Sequence, residues 1–352
     1  MCVAFWTLEH PEYALILCAN RDEYLARPAL DATFHRAFGA AADAAAPEIL
    51  SGIDVQAGGT WLGLNAGTAR LALLTNITEP LQKRASSRGA LAPAFLAAHP
   101  GTAPDALFPP GGQFAGFNLL LLEGSWGPAS EDGLGSGSGS GSALAFDGAW
   151  IVSNSGAGGP VRCRALRTDE RAIGGMSNGI HVATADNDND DDGASWPKVL
   201  AGKELLARIA AAPTPPPSDG SDPDTALAEQ LFSLLCTTAP APIRARQELR
   251  RTICVHPVDV SAGEKAYAPV GGKHEAHGGL GPAPAPPLPV FYGTRTATVV
   301  LVRRDGSALF VERDVWRIAG EGAAARPVRA PPGSQRAFRV DVGTALPRPG
   351  HG

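Results

Sequence analysis

Apolar residues open the chain in two short runs, 1–8 and 13–19, separated by Glu9-His10-Pro11-Glu12. Short apolar runs around a proline-bearing polar break predict two strands joined as a hairpin. The polar quartet Asn20-Arg21-Asp22-Glu23 stands at its far end. A second hairpin is expected where Trp61-Leu62-Gly63-Leu64 and the run 69–76 flank Asn65-Ala66-Gly67-Thr68, a segment with turn chemistry. Leu91, Phe95 and Leu96 fall at helical offsets within 87–98, and Pro100 ends that helix. Strands are predicted over 114–122 and 149–154, and a helix over 196–211, capped by Ser195, with Val199, Leu200, Leu205, Leu206 and Ile209 as its apolar stripe. A helix over 225–236, a strand over 251–255 and strands over 295–303, 307–313 and 337–342 complete the reading.

Strands, one helix, more strands, two helices and strands again make an α+β order, unlike the strict alternation of a Rossmann fold. No Gly-x-Gly-x-x-Gly or Walker-type phosphate loop follows any strand. The Gly/Ser run 133–142, the acidic run 186–192, the Pro/Ser/Asp stretch 213–224 and the Pro/Ala stretch 282–289 interrupt the series without separating self-contained halves. We therefore expect a single domain over 1–345, with flexible insertions near 125–145, 182–195, 212–224 and 268–289 and a disordered tail over 346–352.

Hydrophobic content of 44% and charged content of 18% suit a globular protein with a sizeable core. A net charge of -5 gives no electrostatic reason to expect nucleic acid. The run 13–19 is far short of the ~20 residues that span a bilayer, and Glu9, Glu12 and Arg21 around it speak against a signal peptide. Five cysteines, Cys2, Cys18, Cys163, Cys236 and Cys254, lack paired spacing, which points to a reducing compartment. No metal site is expected: His274 and His277 have no further ligands nearby, and the acidic run has no Gly-centred calcium loop. Asn76-Ile77-Thr78 fits a glycosylation acceptor, expected to stay unmodified without a secretory signal.

Candidate chemistry begins at Cys2, directly behind Met1. Cysteine is small enough for methionine aminopeptidase to act before it. Removal of Met1 would give one residue both a thiol and an α-amine, whose ordinary pKa of roughly 7.7–8.0 suits a base near neutral pH. That is the logic of an N-terminal nucleophile. A guanidinium nearby, with Arg21 the candidate, would favour the thiolate. The alternative is a thiol that acts only as a small apolar group in a first strand, with the quartet as a solvated turn.

Several motifs follow in order: Cys2, Asn20-Arg21-Asp22-Glu23, Gly58-Gly59-Thr60-Trp61-Leu62-Gly63, Leu74-Thr75-Asn76, Ser87-Arg88-Gly89, Gly116-Phe117-Asn118, Met176-Ser177-Asn178, Trp196-Pro197-Lys198 and Tyr292-Gly293-Thr294-Arg295-Thr296. Together they resemble the NRDE family, also called the transport and Golgi organisation protein 2 family, over nearly the whole chain outside the low-complexity stretches. The resemblance implies a fold like that of N-terminal nucleophile hydrolases of the choloylglycine hydrolase and penicillin acylase kind, a four-layer αββα sandwich. It implies Cys2 as nucleophile, Arg21 and Asp22 near those enzymes' Arg and Asp, Asn76 on the oxyanion side and Asn178 as a second orienting amide. Asn-Arg-Asp-Glu stands here where those hydrolases have Arg-Asn-x-Asp. Asn20, Glu23, Trp61 and Arg295 are ligand-binding candidates; Trp61 reads as core or cleft wall, and Arg295 lacks a secure hydrolase equivalent.

For function, the resemblance implies first a haem- or acyl-lipid-binding trafficking protein, with acyl-CoA among the ligands, linked to Golgi organisation and protein secretion. The alternative is a working cysteine hydrolase that cleaves an amide or thioester; a scaffold role ranks last. No resident cofactor is required, and haem enters as a transported ligand for which Cys2 could supply sulfur. Small-molecule or lipid partners, transient membrane association and a cytoplasmic, Golgi-associated or mitochondrial location are implied in the same way.

Overall fold

The structure is a computed structural model that describes residues 1–36, 38, 48–79, 86–108, 113–128, 141–156, 158–181, 193–212, 222–243, 246–261 and 290–346. Most of the Gly/Ser run, the acidic run, the 213–221 stretch, the Pro/Ala stretch, His274, His277 and most of the tail lie outside the described residues.

Two antiparallel sheets carry the fold. In the first, Gly174–Met176, Val3–Thr7, Tyr13–Tyr24, Phe291–Arg303, Ser307–Asp314 and Gln335–Asp341 lie side by side in that order, with Val258–Asp259 also paired to Phe291–Arg303. In the second, Ala29–His35, Ile49–Asp54, Leu62–Asn65, Arg70–Asn76, Phe117–Pro128, Ser142–Ser153 and Arg162–Ala165 follow one another in chain order. Every ladder between the described strands of these sheets is antiparallel, so the chain is α+β as its element order implies.

The N-terminal strand pair is apolar at nearly every position because both of its faces are covered. Strand alternation sends successive side chains to opposite faces. Ala4, Trp6, Leu15 and Leu17 enter the core shared with Leu62, Leu64, Leu71, Leu73, Leu120 and Leu122 of the second sheet. Val3, Phe5, Ile16 and Cys18 face the other way, into a core closed by the helices Pro197–Ala211 and Pro223–Leu235. On the far face of the second sheet, Ala72, Leu119, Leu121 and Val152 pack against Leu91, Ala92, Phe95 and Leu96 of the short helix Leu91–Ala97. Each large apolar side chain so buried contributes on the order of 1.5–3 kcal/mol.

Some sequence expectations are corrected. The segment expected as a strand over 251–255 instead ends the 3-10 turn Arg246–Arg251 and continues as irregular backbone. There Thr252 and Cys254 exchange hydrogen bonds with 237–239 rather than with a ladder. Ser195 does not cap the following helix; it closes the 3-10 turn Gly193–Ser195, and Trp196 holds the cap position before Pro197. Proline needs no amide partner at the first helical position, which makes a side-chain cap dispensable there. Strands Phe117–Pro128 and Ser142–Ser153 run past the expected start of the insertion at 125, so polar residues such as Ser125 belong to the ladder. No described helix is long and apolar enough to cross a membrane.

Candidate active site

The second strand does not stop at Asn20. It continues through the quartet to Tyr24, paired throughout with Phe291–Arg303. Period-2 alternation therefore divides Asn20-Arg21-Asp22-Glu23 between two faces. Asn20 and Asp22 look toward the helices, while Arg21 enters the space between the sheets, where Cys2, Arg21, Trp61, Leu73 and Leu74 line a cavity of about 10 Å³. That is roughly the volume of one water.

Arg21 is buried, its guanidinium stacked 4.3 Å from the centre of the Trp61 ring, with one nitrogen 3.1 Å from Asp54. Its other terminal nitrogen, Nη1, has no hydrogen-bond partner among the described residues. Trp61 is thus a wall of the cavity, as its sequence context suggests. Arg27 reaches the same Asp54 carboxylate at 2.7 Å and Glu23 at 3.7 Å. These contacts hold the Asp54 carboxyl below its ordinary range against the opposing effect of burial.

Asp22 organises the other face. Its Oδ1 accepts from Thr294 at 2.6 Å, and its Oδ2 stands 3.0 Å from the Met1 ammonium. The ammonium also donates to the Tyr292 hydroxyl, which donates in turn to the Asp22 carbonyl at 3.1 Å. The Cys2 thiol lies 3.7 Å from that same carbonyl oxygen. Burial pushes the thiol pKa up, with the neighbouring ammonium as the main opposing influence. Burial likewise lowers the ammonium pKa against the pull of Asp22.

Two segments close around this N-terminus. The loop after Gly174–Met176 is tied to the second sheet: Thr75 donates to the Ser177 carbonyl at 2.8 Å, and Asn118 donates to the carbonyls of Ser177 at 3.1 Å and Gly179 at 2.7 Å. So anchored, Ser177 donates to the Cys2 carbonyl at 2.7 Å, and Asn178 is buried beside it with Oδ1 unpartnered among the described residues. From the helix Pro197–Ala211, Lys198 donates to the Met1 carbonyl at 2.7 Å. It is fully buried, and burial lowers its pKa to about 8, with Asp22 and Cys2 opposing.

The sequence candidates thus separate. Cys2 and Asp22 meet at the N-terminus, Asn178 follows the Ser177 that contacts Cys2, and Arg21 and Trp61 line the cavity with Cys2. Asn76 sits half-buried where its strand ends, next to Ile77 and Thr78, and Thr78 Oγ1 lies 3.0 Å from the Met1 sulfur while its amide donates to the Asn178 carbonyl. Asn20 instead donates to the carbonyls of Leu235 at 2.8 Å and Ile253 at 3.0 Å, fastening the helical layer to the strand. Arg295 lies on a bulge between Thr294 and Thr296, which turns its guanidinium toward the Arg27 carbonyl and the arginine cluster. Burial, then Arg21, lowers its pKa. Glu23 serves that cluster through Arg27. Lys198, Tyr292, Thr294 and Ser177 join the site without having been singled out by sequence reasoning, although Lys198 stands in the Trp196-Pro197-Lys198 motif and the other three in motifs of the same series.

Fold and site together define an α+β protein whose chain start is inserted between the edge loop of one sheet and a covering helix. The family description "Transport and Golgi organisation 2" matches residues 1–317, and the chain belongs to that family. A relative from Bos taurus, "Transport and Golgi organization protein 2 homolog", is 28% identical over 327 residues, covering 90% of this chain and 93% of the relative. The human protein of the same name is 39% identical over 105 residues, 27% of this chain and 35% of its own length. "Transport and Golgi organization protein 2" of Drosophila melanogaster is 39% identical over 99 residues, 25% of this chain and 32% of the relative.

Proposed function

We propose that this chain is an N-terminal cysteine acyl hydrolase, active on an amide or thioester after loss of Met1, and that its fold is of the N-terminal nucleophile hydrolase type. One observation carries the reading: the Cys2 thiol and the chain-terminal ammonium lie in one buried site around Asp22. The shared core between two antiparallel sheets and the helices on both outer faces support the fold assignment.

In this mechanism Met1 removal converts Cys2 nitrogen into the free α-amine, which takes the thiol proton as sulfur attacks the acyl carbon. Asp22 holds the resulting ammonium. Negative charge that develops on the acyl oxygen needs hydrogen-bond donors, and the Asn76 and Asn178 amides are the candidates. The amine or thiol leaving group departs with the proton, and water then hydrolyses the acyl-enzyme.

The second reading, a carrier of haem or acyl-CoA, draws support from Cys2, whose sulfur is a soft ligand. The names of the relatives connect them with transport and Golgi organisation, and a role for this chain in that process rests on kinship.

Intact mass of the purified protein, incubated with acyl-CoA and N-acyl amide panels, separates the readings. Loss of Met1 with an acyl adduct on the N-terminal peptide supports hydrolysis. Extra native mass that vanishes on denaturation supports carriage, and turnover that survives Cys2→Ala overturns the nucleophile.

A further inference from the structure

Met1 is held as a ligand would be held. Its ammonium meets Asp22 and Tyr292, its carbonyl accepts from Lys198 at 2.7 Å, and its sulfur lies 3.0 Å from the Thr78 hydroxyl. The residue is only 5% exposed. All three kinds of group on an α-aminoacyl unit therefore have a protein partner of matching chemistry.

We propose that the space Met1 fills becomes, after its removal, a binding site for an α-amino acid or α-aminoacyl group with an unbranched apolar side chain. The inference rests on the reading that Met1 is removed, and it supplies the substrate class that reading lacks: α-aminoacyl amides or thioesters.

The hydrogen-bond balance supports it. Hydrolysis of the Met1–Cys2 amide consumes one water, releases methionine as a carboxylate and leaves an ammonium on Cys2. The emptied site then holds the Lys198 and Cys2 ammonium groups against the single Asp22 carboxylate. Lys198 has lost its hydrogen-bond acceptor, a place that an oxygen of an entering ligand can take. A zwitterionic amino acid restores it, with its carboxylate on Lys198 and the Cys2 amine and its own ammonium on Asp22. The Met1 carbonyl carbon is joined to Cys2 nitrogen and lies four bonds from Sγ; a free acyl group, set back to non-bonded distance from that nitrogen, still neighbours the thiol.

The test uses full-length protein lacking only Met1, released from a cleavable N-terminal fusion and verified by mass. Calorimetry with L-methionine should give one site per chain. 3-(Methylthio)propylamine, which lacks the carboxylate, and 4-(methylthio)butanoate, which lacks the amine, should each bind about tenfold more weakly or worse, the loss of one charge-assisted contact. Lys198→Met should weaken L-methionine similarly, and Lys198→Arg should recover part of the loss. No binding of L-methionine to this folded protein, or equal binding of the analogues, overturns the site whatever happens to the mutants. Retention of Met1 in the native cell instead overturns the reading beneath it, and the fusion-derived protein makes the two failures distinct.

Discussion

Lys198 donates to the Met1 carbonyl at 2.7 Å from a fully buried position, and among the described residues no carboxylate lies within ion-pair distance of it. Burial, opposed only in part by Asp22 and Cys2, moves its pKa from 10.5 to about 8. The direction of the pH effect follows. Between about pH 8 and 10 the unfolded chain keeps the proton on this lysine while the folded chain releases it, so stability rises with pH across that window. A shift of this size corresponds to about 3 kcal/mol. Urea unfolding of Met1-bearing protein at pH 7.5, 9 and 10, beside Lys198→Met, should show that rise in the wild type relative to the variant. Equal pH slopes would mean that the lysine reaches water or an anion.

Cys2→Ala is expected to lower hydrolysis by about 10⁴-fold or more, since no other group in the site combines a thiol with the chain-terminal amine. A bulky residue at position 2, which keeps Met1 in place, should silence turnover equally. Mass spectrometry of each variant after exposure to an acyl-CoA reports the adduct directly. An adduct on the Cys2→Ala protein would move the chemistry to another residue.

Asn118 reaches Ser177 and Gly179 with its amide nitrogen and accepts from Ser153 at 2.9 Å. It is fully buried, so Asn118→Ala strands the Gly179 carbonyl and the Ser153 hydroxyl, while the Ser177 carbonyl keeps its bond from Thr75. A loss of about 1–3 kcal/mol is expected. The released loop also carries Ser177 and Asn178, so kcat should fall while the Cys2 thiol stays in place. Thiol labelling at an unchanged rate, together with lowered turnover, would identify Asn118 as a positioning residue.

Most strands were legible because apolar runs and turn chemistry are local signals. The helices at 197–211 and 223–235 were legible for the same reason, to within two residues. The strands Ala29–His35, Ile49–Asp54, Arg162–Ala165, Gly174–Met176, Val258–Asp259, Trp316–Ala319 and Arg326–Arg329 escaped: most are short or polar, and Gly174–Met176 is three residues rich in glycine. Cys2 and Asp22 could be placed together from motif order. Division of the quartet between two faces could not, because it depends on the strand continuing to Tyr24 against a partner almost 270 residues away. Lys198 escaped because a lone lysine after a proline reads as solvated until a strand buries it. Arg70 illustrates the same limit: it is fully buried, donating to the Phe95 and Ala98 carbonyls at a helix end and pairing with Glu123 at 2.7 Å.

Gly202 joins packing to the site. It lies inside the helix Pro197–Ala211, where alanine would ordinarily gain about 1 kcal/mol. A methyl group there would fall 2.0 Å from Cζ of Phe5, whose ring is completely buried. Overpacking of this kind costs about 1–3 kcal/mol, so contact outweighs propensity and Gly202→Ala should destabilise the protein. Lys198 is four residues earlier, on the same helical face. A helix displaced from Phe5 therefore carries the ammonium away from the chain start, and turnover should fall together with stability. Phe5→Leu in the same chain removes the ring tip and should recover part of both losses, a coupling of about 0.5–3 kcal/mol. Strictly additive effects of the two substitutions would show that the helix yields elsewhere and that this contact does not position Lys198.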